Sequence, residues 1–287
     1  MRSIENLVFK GGGVLGVAYA GGIQALDEHG LFESVKAAAG TSAGSIMAAL
    51  VSLRYSAKEI TAIARAIEFK EFGDHWNPLR IATHYGLYKG DRFLEWIKDI
   101  IKTKTGNGEI TFAELAAKGF RDLKVFATDL NTGNAKEFSN ATTPTVIVAE
   151  SLRASMAIPL FFAAWQFSNN IPDDHIYVDG GTVYIYPINA FADLSKTLGF
   201  YVYNPANKVA DLGFDQLLNY VKLLYLATNN VQTVAFETDK EIEAVTVKIN
   251  DFGIPSTDLN ITDAQKDRLY NSGKEATVQY LQTGGWV

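Results

Sequence analysis

A serine with a glycine two residues away on either side, Gly40-Thr41-Ser42-Ala43-Gly44, is the segment of this chain best suited to covalent chemistry. The apolar run before it, residues 35–39, predicts a strand, and residues 45–53 predict a helix. A serine at a sharp strand-to-helix turn is forced into a strained backbone conformation, and its neighbours must be small for the chain to fold back on itself. Its hydroxyl then projects at the carboxyl end of the sheet, beside helix amides that favour a developing negative charge. A plain Gly/Ser turn has the same letters, so the pentapeptide needs partners.

The first partner is Gly11-Gly12-Gly13-Val14-Leu15-Gly16, which follows the predicted strand of residues 4–9. As G-x-G-x-x-G before a helix it fits a dinucleotide-binding turn, and the chain would then be a nucleotide-binding oxidoreductase. That reading requires an acidic residue about 20 positions on, at the end of the second strand, to hold a ribose. Glu33 lies before that strand, and the serine turn takes the expected place. The other reading is an oxyanion hole, with unshielded backbone N–H groups converging on a tetrahedral intermediate, each worth about 3–4 kcal/mol of barrier. Close packing alone would account for Gly16, Gly21 and Gly22.

A serine nucleophile also needs a base. The histidines are His29, His75, His84 and His175, none late in the chain where a Ser-acid-His order would put one. His29 with Gly30 reads as a helix end, His75 and His84 lie in a loop-like stretch, and His175 sits in the polar run Pro172-Asp173-Asp174-His175. A carboxylate remains. Asp179-Gly180-Gly181 follows the apolar run Ile176-Tyr177-Val178, which puts an acid at a strand end with a flexible turn behind it, although an ordinary Asp-Gly turn reads the same way.

Taken in order, the glycine run 11–16, the serine turn 40–44 and Asp179-Gly180-Gly181 resemble the patatin-like phospholipase family. Ala154-Ser155-Met156-Ala157-Ile158-Pro159 looks like that family's Ala-Ser-x-x-x-Pro element, and Ala127-Thr128-Asp129-Leu130-Asn131-Thr132-Gly133 is similar to another of its segments. The resemblance spans residues 4–205. It implies a lipid acyl hydrolase with a Ser-Asp dyad, no histidine and no cofactor or metal. Ser42 would be the nucleophile, Asp179 the base, and the amides of Gly11, Gly12 and Gly13 the oxyanion hole. Leu15 departs from the family, many of whose members carry Arg or Lys there. The substrate implied is a phospholipid or another acyl lipid, met by peripheral contact with a membrane. A non-catalytic lipid-binding protein on the same scaffold is the remaining alternative.

The elements that must position these residues read as one α/β unit. Strand, helix, strand, helix over residues 4–53 favours a parallel sheet, and the resemblance adds a three-layer, mostly parallel central sheet flanked by helices. Further strands are expected at 123–128 and 135–138 around the turn Asn131-Thr132-Gly133, then at 161–167, 176–178, 200–203 and 244–249. Helices are expected at 57–69 behind Ser56, 92–102 capped by Asp91, behind the Thr111/Glu114 capping box, from Pro144 through Ala154, and at 212–237 and 263–282. With no repeat or Pro/Ser-rich linker, residues 1–287 read as a single domain whose part beyond 205 is the C-terminal helices and strand of the same unit.

Composition narrows the partners. The 26 basic against 32 acidic side chains leave a net charge of −6, which argues against a general nucleic-acid binder and against simple adsorption to an anionic membrane. With no cysteine, disulfide scaffolds and Cys-containing zinc sites are excluded. The N-terminal residues lack a signal-peptide pattern, so a cytoplasmic location is expected, with export by a route that leaves no cleavable signal as the alternative, and the resemblance adds peripheral contact with a membrane. Residues 37–53 carry no charge, yet 17 residues is at the short limit for a bilayer span, and a buried strand, turn and helix explain them better. Asp173, Asp174 and His175 could ligate a metal, but a solvated loop is the expectation. Lys98, Lys102 and Lys104 read as a solvated face. Residues 68–88 hold Phe69, Phe72, Trp76, Tyr85 and Tyr88 without regular spacing; they fit a lipid-entry lid or core packing equally well.

Overall fold

A computed structural model describes residues 3–167, 169–205, 217–237 and 239–284. Its strands are β1 (Asn6–Phe9), β2 (Ala37–Thr41), β3 (Gly86–Tyr88), β4 (Asp122–Asp129), β5 (Asn134–Phe138), β6 (Leu160–Phe162), β7 (Tyr177–Asp179), β8 (Thr197–Tyr203) and β9 (Thr246–Asn250). The helices are α1 (Val17–Glu28), α2 (Ala43–Ser52), α3 (Ala57–Ala66), α4 (Ile81–His84), α5 (Asp91–Thr105), α6 (Phe112–Ala117), α7 (Val148–Ser155), α8 (Leu217–Glu237), α9 (Lys240–Ala244) and α10 (Asp263–Thr283).

The central sheet runs β5-β4-β2-β1-β8-β9, with β7 also paired to β4. The pairs β1/β2, β1/β8, β2/β4 and β8/β9 are parallel, whereas β5 and β7 run antiparallel to β4. This is the mostly parallel α/β sheet flanked by helices that the alternation of elements implied. Successive strand residues serve opposite faces. Leu7, Phe9, Ala38, Val125 and Phe200 join the main core with α1, α2, α3, α7 and α10, while Val8, Ala39, Phe126 and Tyr201 face a thinner layer containing Ile185, Tyr186, Ile188 and Ile242. The charge-free stretch of residues 37–53 is β2, the serine turn and α2, and none of the described helices is long and apolar enough to cross a membrane.

The structure moves several boundaries for physical reasons. Strand β2 starts two residues later than expected. Helix α3 ends at Ala66, because Ile67 turns extended. The cap of α5 is not Asp91: Gly90 holds the N-cap position at φ 78°, and the buried Asp74 carboxylate accepts from the N–H groups of Gly90 and Arg92 at 2.7 and 3.0 Å. Pro144 does not open a helix. Its carbonyl and that of Val146 accept the first amides of α6, from Ala113 and Phe112, and α7 begins only at Val148. The expected strand at 161–167 splits between partners: β6 pairs with β3, and Trp165 bridges to Tyr177. Residues 212–216 of the expected long helix lie outside the described residues.

The aromatic segment of residues 68–88 divides in two. Phe72 packs at 5.4 Å against both Phe93 and Trp96, and Tyr88 at 5.0 Å against Phe161. Trp76, Leu79 and Tyr85 are exposed, at 62%, 79% and 54%.

Candidate active site

Ser42 sits between β2 and α2 at φ 54° and ψ −130°, a left-handed backbone that an L-residue adopts only under constraint. The two glycines of the turn explain how the constraint is met. A Cβ on Gly40 would fall on the backbone of Gly44, and one on Gly44 would fall on the Phe9 and Lys10 carbonyls. The turn is therefore held by backbone packed on backbone. The N–H of Ser42 donates to Ser155 Oγ at 2.9 Å, and the Ser155 hydroxyl donates to the Phe126 carbonyl at 2.6 Å. Ser42 Oγ lies 3.5 Å from Met156 Sδ, and the residue is 3% exposed.

Asp179 ends β7 and is fully buried. Its N–H donates to the Ala157 carbonyl at 2.8 Å, so the segment Ala154–Pro159 anchors both halves of the site: Ser155 holds Ser42 and Ala157 holds Asp179. One carboxylate oxygen, Oδ1, accepts from the Gly181 N–H at 2.7 Å and from the Tyr225 hydroxyl at 2.9 Å. The other, Oδ2, is buried and has no hydrogen-bond partner among the described residues. Burial raises the Asp179 pKa to about 6, against the opposing pull of the Ser42 hydroxyl, the Gly181 amide and the Tyr225 phenol. Burial and the Asp179 charge push the Tyr225 phenol well above its ordinary value, so it remains the donor of that pair.

The three glycines differ. The Gly11 N–H donates to the Ile185 carbonyl at 2.8 Å and is spent; a Cβ on Gly11 would come 3.3 Å from that of Ser42, so this residue supplies close approach rather than a donor. This corrects the expectation that all three amides serve an oxyanion. The N–H groups of Gly12 and Gly13 have no partner among the described residues. Gly13 adopts φ 54°, where a Cβ would meet the Ser256 carbonyl. The N–H of Ala43, first in α2, has no intrahelical partner. At the end of β2, where a dinucleotide site would need a carboxylate, stand the buried Thr41 and Ser42. Leu15 is buried in the main core.

The histidines lie apart from this cluster. His29 closes α1, its Nδ1 2.8 Å from the Ala25 carbonyl. His84 Nδ1 is 2.8 Å from Thr83 Oγ1. His175 Nδ1 is 2.8 Å from Asp129 Oδ2, and this carboxylate raises the imidazole pKa. Asp129 Oδ1 meanwhile accepts from the Asn131 and Thr132 amides, shaping the turn between β4 and β5. Asp173 accepts from Tyr177 Oη at 2.6 Å and pairs with Lys136.

Comparison with known proteins places the chain. The family model for patatin-like phospholipases matches residues 7–192 of the 287. The chain belongs to the patatin-like phospholipase family. It is 28% identical to an uncharacterized protein of Acanthamoeba polyphaga mimivirus, over 97% of this chain and 94% of that one. It is 24% identical to a probable lipid hydrolase of Invertebrate iridescent virus 6, over 94% of this chain and 87% of that one. Its fold matches VipD from Legionella pneumophila with a TM-score of 0.75 and 16% identity, covering 98% of this chain and 67% of that one.

Helix α8 lies beyond the family match and holds residues that sequence reasoning missed. Besides Tyr225, it supplies Gln232, whose Oε1 accepts from the Ile185 N–H at 2.6 Å and whose Nε2 donates to the Gly181 carbonyl at 3.0 Å. The signal was available as a polar stripe, Tyr225, Asn229 and Gln232, at i, i+4 and i+7 of one helix.

Proposed function

We propose that this protein is a lipid acyl hydrolase in which Ser42 is the nucleophile and Asp179 the base. The observation that supports the reading is a serine held at positive φ together with a buried carboxylate that feels the Ser42 hydroxyl, accepts two hydrogen bonds at Oδ1 and has none at Oδ2 among the described residues. Asp179 Oδ2 takes the Ser42 proton as Oγ attacks the ester carbonyl. The N–H groups of Gly12, Gly13 and Ala43 stabilise the oxyanion that forms. Collapse expels the alcohol, which leaves with the proton from Asp179. Water then gives up a proton to the same carboxylate and cleaves the acyl-serine, which regenerates both groups. A carboxylate near its usual 3.8 is a weak base for this work, and burial raises it to about 6, closer to neutral operating pH.

The substrate class is a phospholipid or another acyl lipid, as membership of the family and the likeness to a probable lipid hydrolase suggest. Labelling with a fluorophosphonate, together with ester hydrolysis, tests the reading. Wild type should be labelled and should turn over esters; Ser42→Ala should lose the label and at least about 10³-fold in kcat. Equal hydrolysis by the two proteins would refute it, and a folded, unlabelled wild type would favour a non-catalytic lipid-binding protein.

A further inference from the structure

Helix α8 is amphipathic in the wrong sense for a surface helix. Advancing about 100° per residue, Tyr220, Leu224, Ala227 and Val231 fall within about 60° of arc, and Tyr225, Asn229 and Gln232 fall on the opposite side. The first group faces solvent, with Tyr220, Leu224 and Val231 exposed at 51%, 48% and 72%. The second group faces the protein: Tyr225 donates to Asp179, Gln232 bonds to Ile185 and Gly181, and Asn229 Oδ1 is buried. A helix of a water-soluble fold normally turns its apolar stripe inward. Here the apolar side is outward, and the polar side closes over a dyad that is itself buried.

We propose that the outer stripe of α8 is a docking surface for a lipid surface, and that docking draws the helix off the dyad so that an acyl chain can reach Ser42. The proposal rests on the hydrolase reading for what must enter. A lipid surface is the occupant that suits the helix. Only Lys222 and Glu237 are charged among its 21 residues, so laying the stripe against lipid takes few charges out of water, and an ionic partner would find little to recognise. An aromatic of the kind that favours membrane interfaces, Tyr220, stands on the stripe. The same helix that would touch lipid touches the base, so the docking surface is continuous with the site it serves. Its inner contacts to the dyad side are individual side-chain hydrogen bonds, which a competing surface can replace, whereas Phe236 near its C-terminal end stays packed at 5.3 Å against Tyr186 and offers a pivot.

The chain has no cysteine, so a single one can be introduced cleanly. Full-length Leu224→Cys carrying an environment-sensitive fluorophore is mixed with phosphatidylcholine vesicles, beside Lys58→Cys, an exposed residue of α3, as control. The label at 224 should shift to the blue and brighten at least twofold, and the label at 58 should not. The double variant Leu224→Gln/Val231→Gln should lose at least tenfold in vesicle partitioning and in hydrolysis of vesicular lipid, and should keep turnover of a soluble short-chain ester within twofold of wild type. Fluorophosphonate labelling of Ser42 should quicken with vesicles in wild type only. Equal partitioning of wild type and variant overturns the proposal. So does a wild-type dimer in sedimentation that the double variant converts to monomer, because a second copy would then cover the stripe. Equal loss on vesicular and soluble substrates also overturns it, since the stripe would then serve folding. Should no ester be hydrolysed by any form, the hydrolase reading fails, while the fluorophore shift and the partitioning still decide the docking.

Discussion

The two sides of the proposed Ser42–Asp179 dyad are held by different kinds of force. Ser42 belongs to a turn in which main chain rests on main chain: Gly40 against Gly44, Gly44 against Phe9 and Lys10, and the Ser42 amide tied to Ser155. Asp179 is anchored at its backbone by Ala157, but its carboxylate is bounded on the α8 side by side chains alone, Tyr225 and, one shell out, Gln232. Backbone packing cannot yield without unfolding, because interiors are close to crystal density. Side-chain hydrogen bonds exchange with water or with another surface at a net cost of about 0.5–1.5 kcal/mol each. Ser42, the proposed nucleophile, thus sits where main chain fixes the geometry, and Asp179 is bounded by side chains that can exchange partners.

The glycines give the largest test of this contrast. In Gly44→Ala the new methyl lands on the carbonyl of β1, so stability should fall by upwards of about 4 kcal/mol, read as loss of soluble protein or of a cooperative melt. In Gly181→Ala the new methyl lies 2.6 Å from the Tyr225 hydroxyl and 2.9 Å from Asp179 Oδ1, both ends of side chains rather than main chain. That variant should fold with a loss of about 1 kcal/mol and with its Tyr225 contact broken. Equal damage from the two substitutions would erase the distinction between the rigid and the movable side.

The carboxylate itself makes the next largest effect. The folded-state pKa of Asp179, about 6, lies above the unfolded 3.8, so the native protein holds a proton that the unfolded chain gives up. Stability from this group is therefore full below about pH 4 and is lost as pH rises to about 6, in total about 3 kcal/mol. Asn at this position cannot ionise and can still accept from Gly181 and Tyr225. Asp179→Asn should then be inactive yet melt at a higher temperature than wild type at pH 8, with the difference vanishing near pH 4. A variant less stable than wild type at pH 8 would mean that the buried charge is compensated by its surroundings.

The rigid side was legible in the sequence and the movable side was not. Gly40, Ser42 and Gly44 carry their geometry in their spacing, because a turn that tight admits few residue types, and Asp179 follows directly from a strand and a Gly-Gly turn. The order of the sheet was legible as alternation, although edges such as β6 moved when Trp165 found Tyr177 instead. Gly11 looked like Gly12 and Gly13 until the Ile185 carbonyl, 174 positions on, claimed its amide. The role of α8 depends on which face of one helix meets the turn after β7, a long-range choice that local periodicity cannot make. Periodicity alone would place a polar stripe such as Tyr225, Asn229 and Gln232 outward.

Ser155 joins the two sides and should show an intermediate effect. Its hydroxyl accepts from the Ser42 amide and donates to Phe126, both in a buried setting. Ser155→Ala leaves a buried amide and a buried carbonyl without partners, at about 1–3 kcal/mol of stability measured by denaturant unfolding. Since the amide belongs to the nucleophile, kcat should fall about tenfold with KM nearly unchanged, the pattern of a misplaced rather than a missing reactive group. A matching loss in KM alone would separate Ser155 from the positioning of Ser42.

Tyr225→Phe should give the smallest effect and the most specific one. The phenol is one of the donors that lower the Asp179 pKa against the larger upward push of burial. Removing it leaves the carboxylate less well solvated, so its pKa should move above about 6. For wild type, kcat/KM should rise with pH through about 6 and level off as the base ionises. In Tyr225→Phe the whole acid limb should move to higher pH while the plateau stays within a few-fold of wild type, because Gly181 still holds Oδ1. Stability at pH 7 should fall by only about 0.5–1.5 kcal/mol, the worth of one hydrogen bond. An unchanged acid limb in kcat/KM would mean that the Tyr225 hydroxyl does not set the Asp179 pKa in the free enzyme.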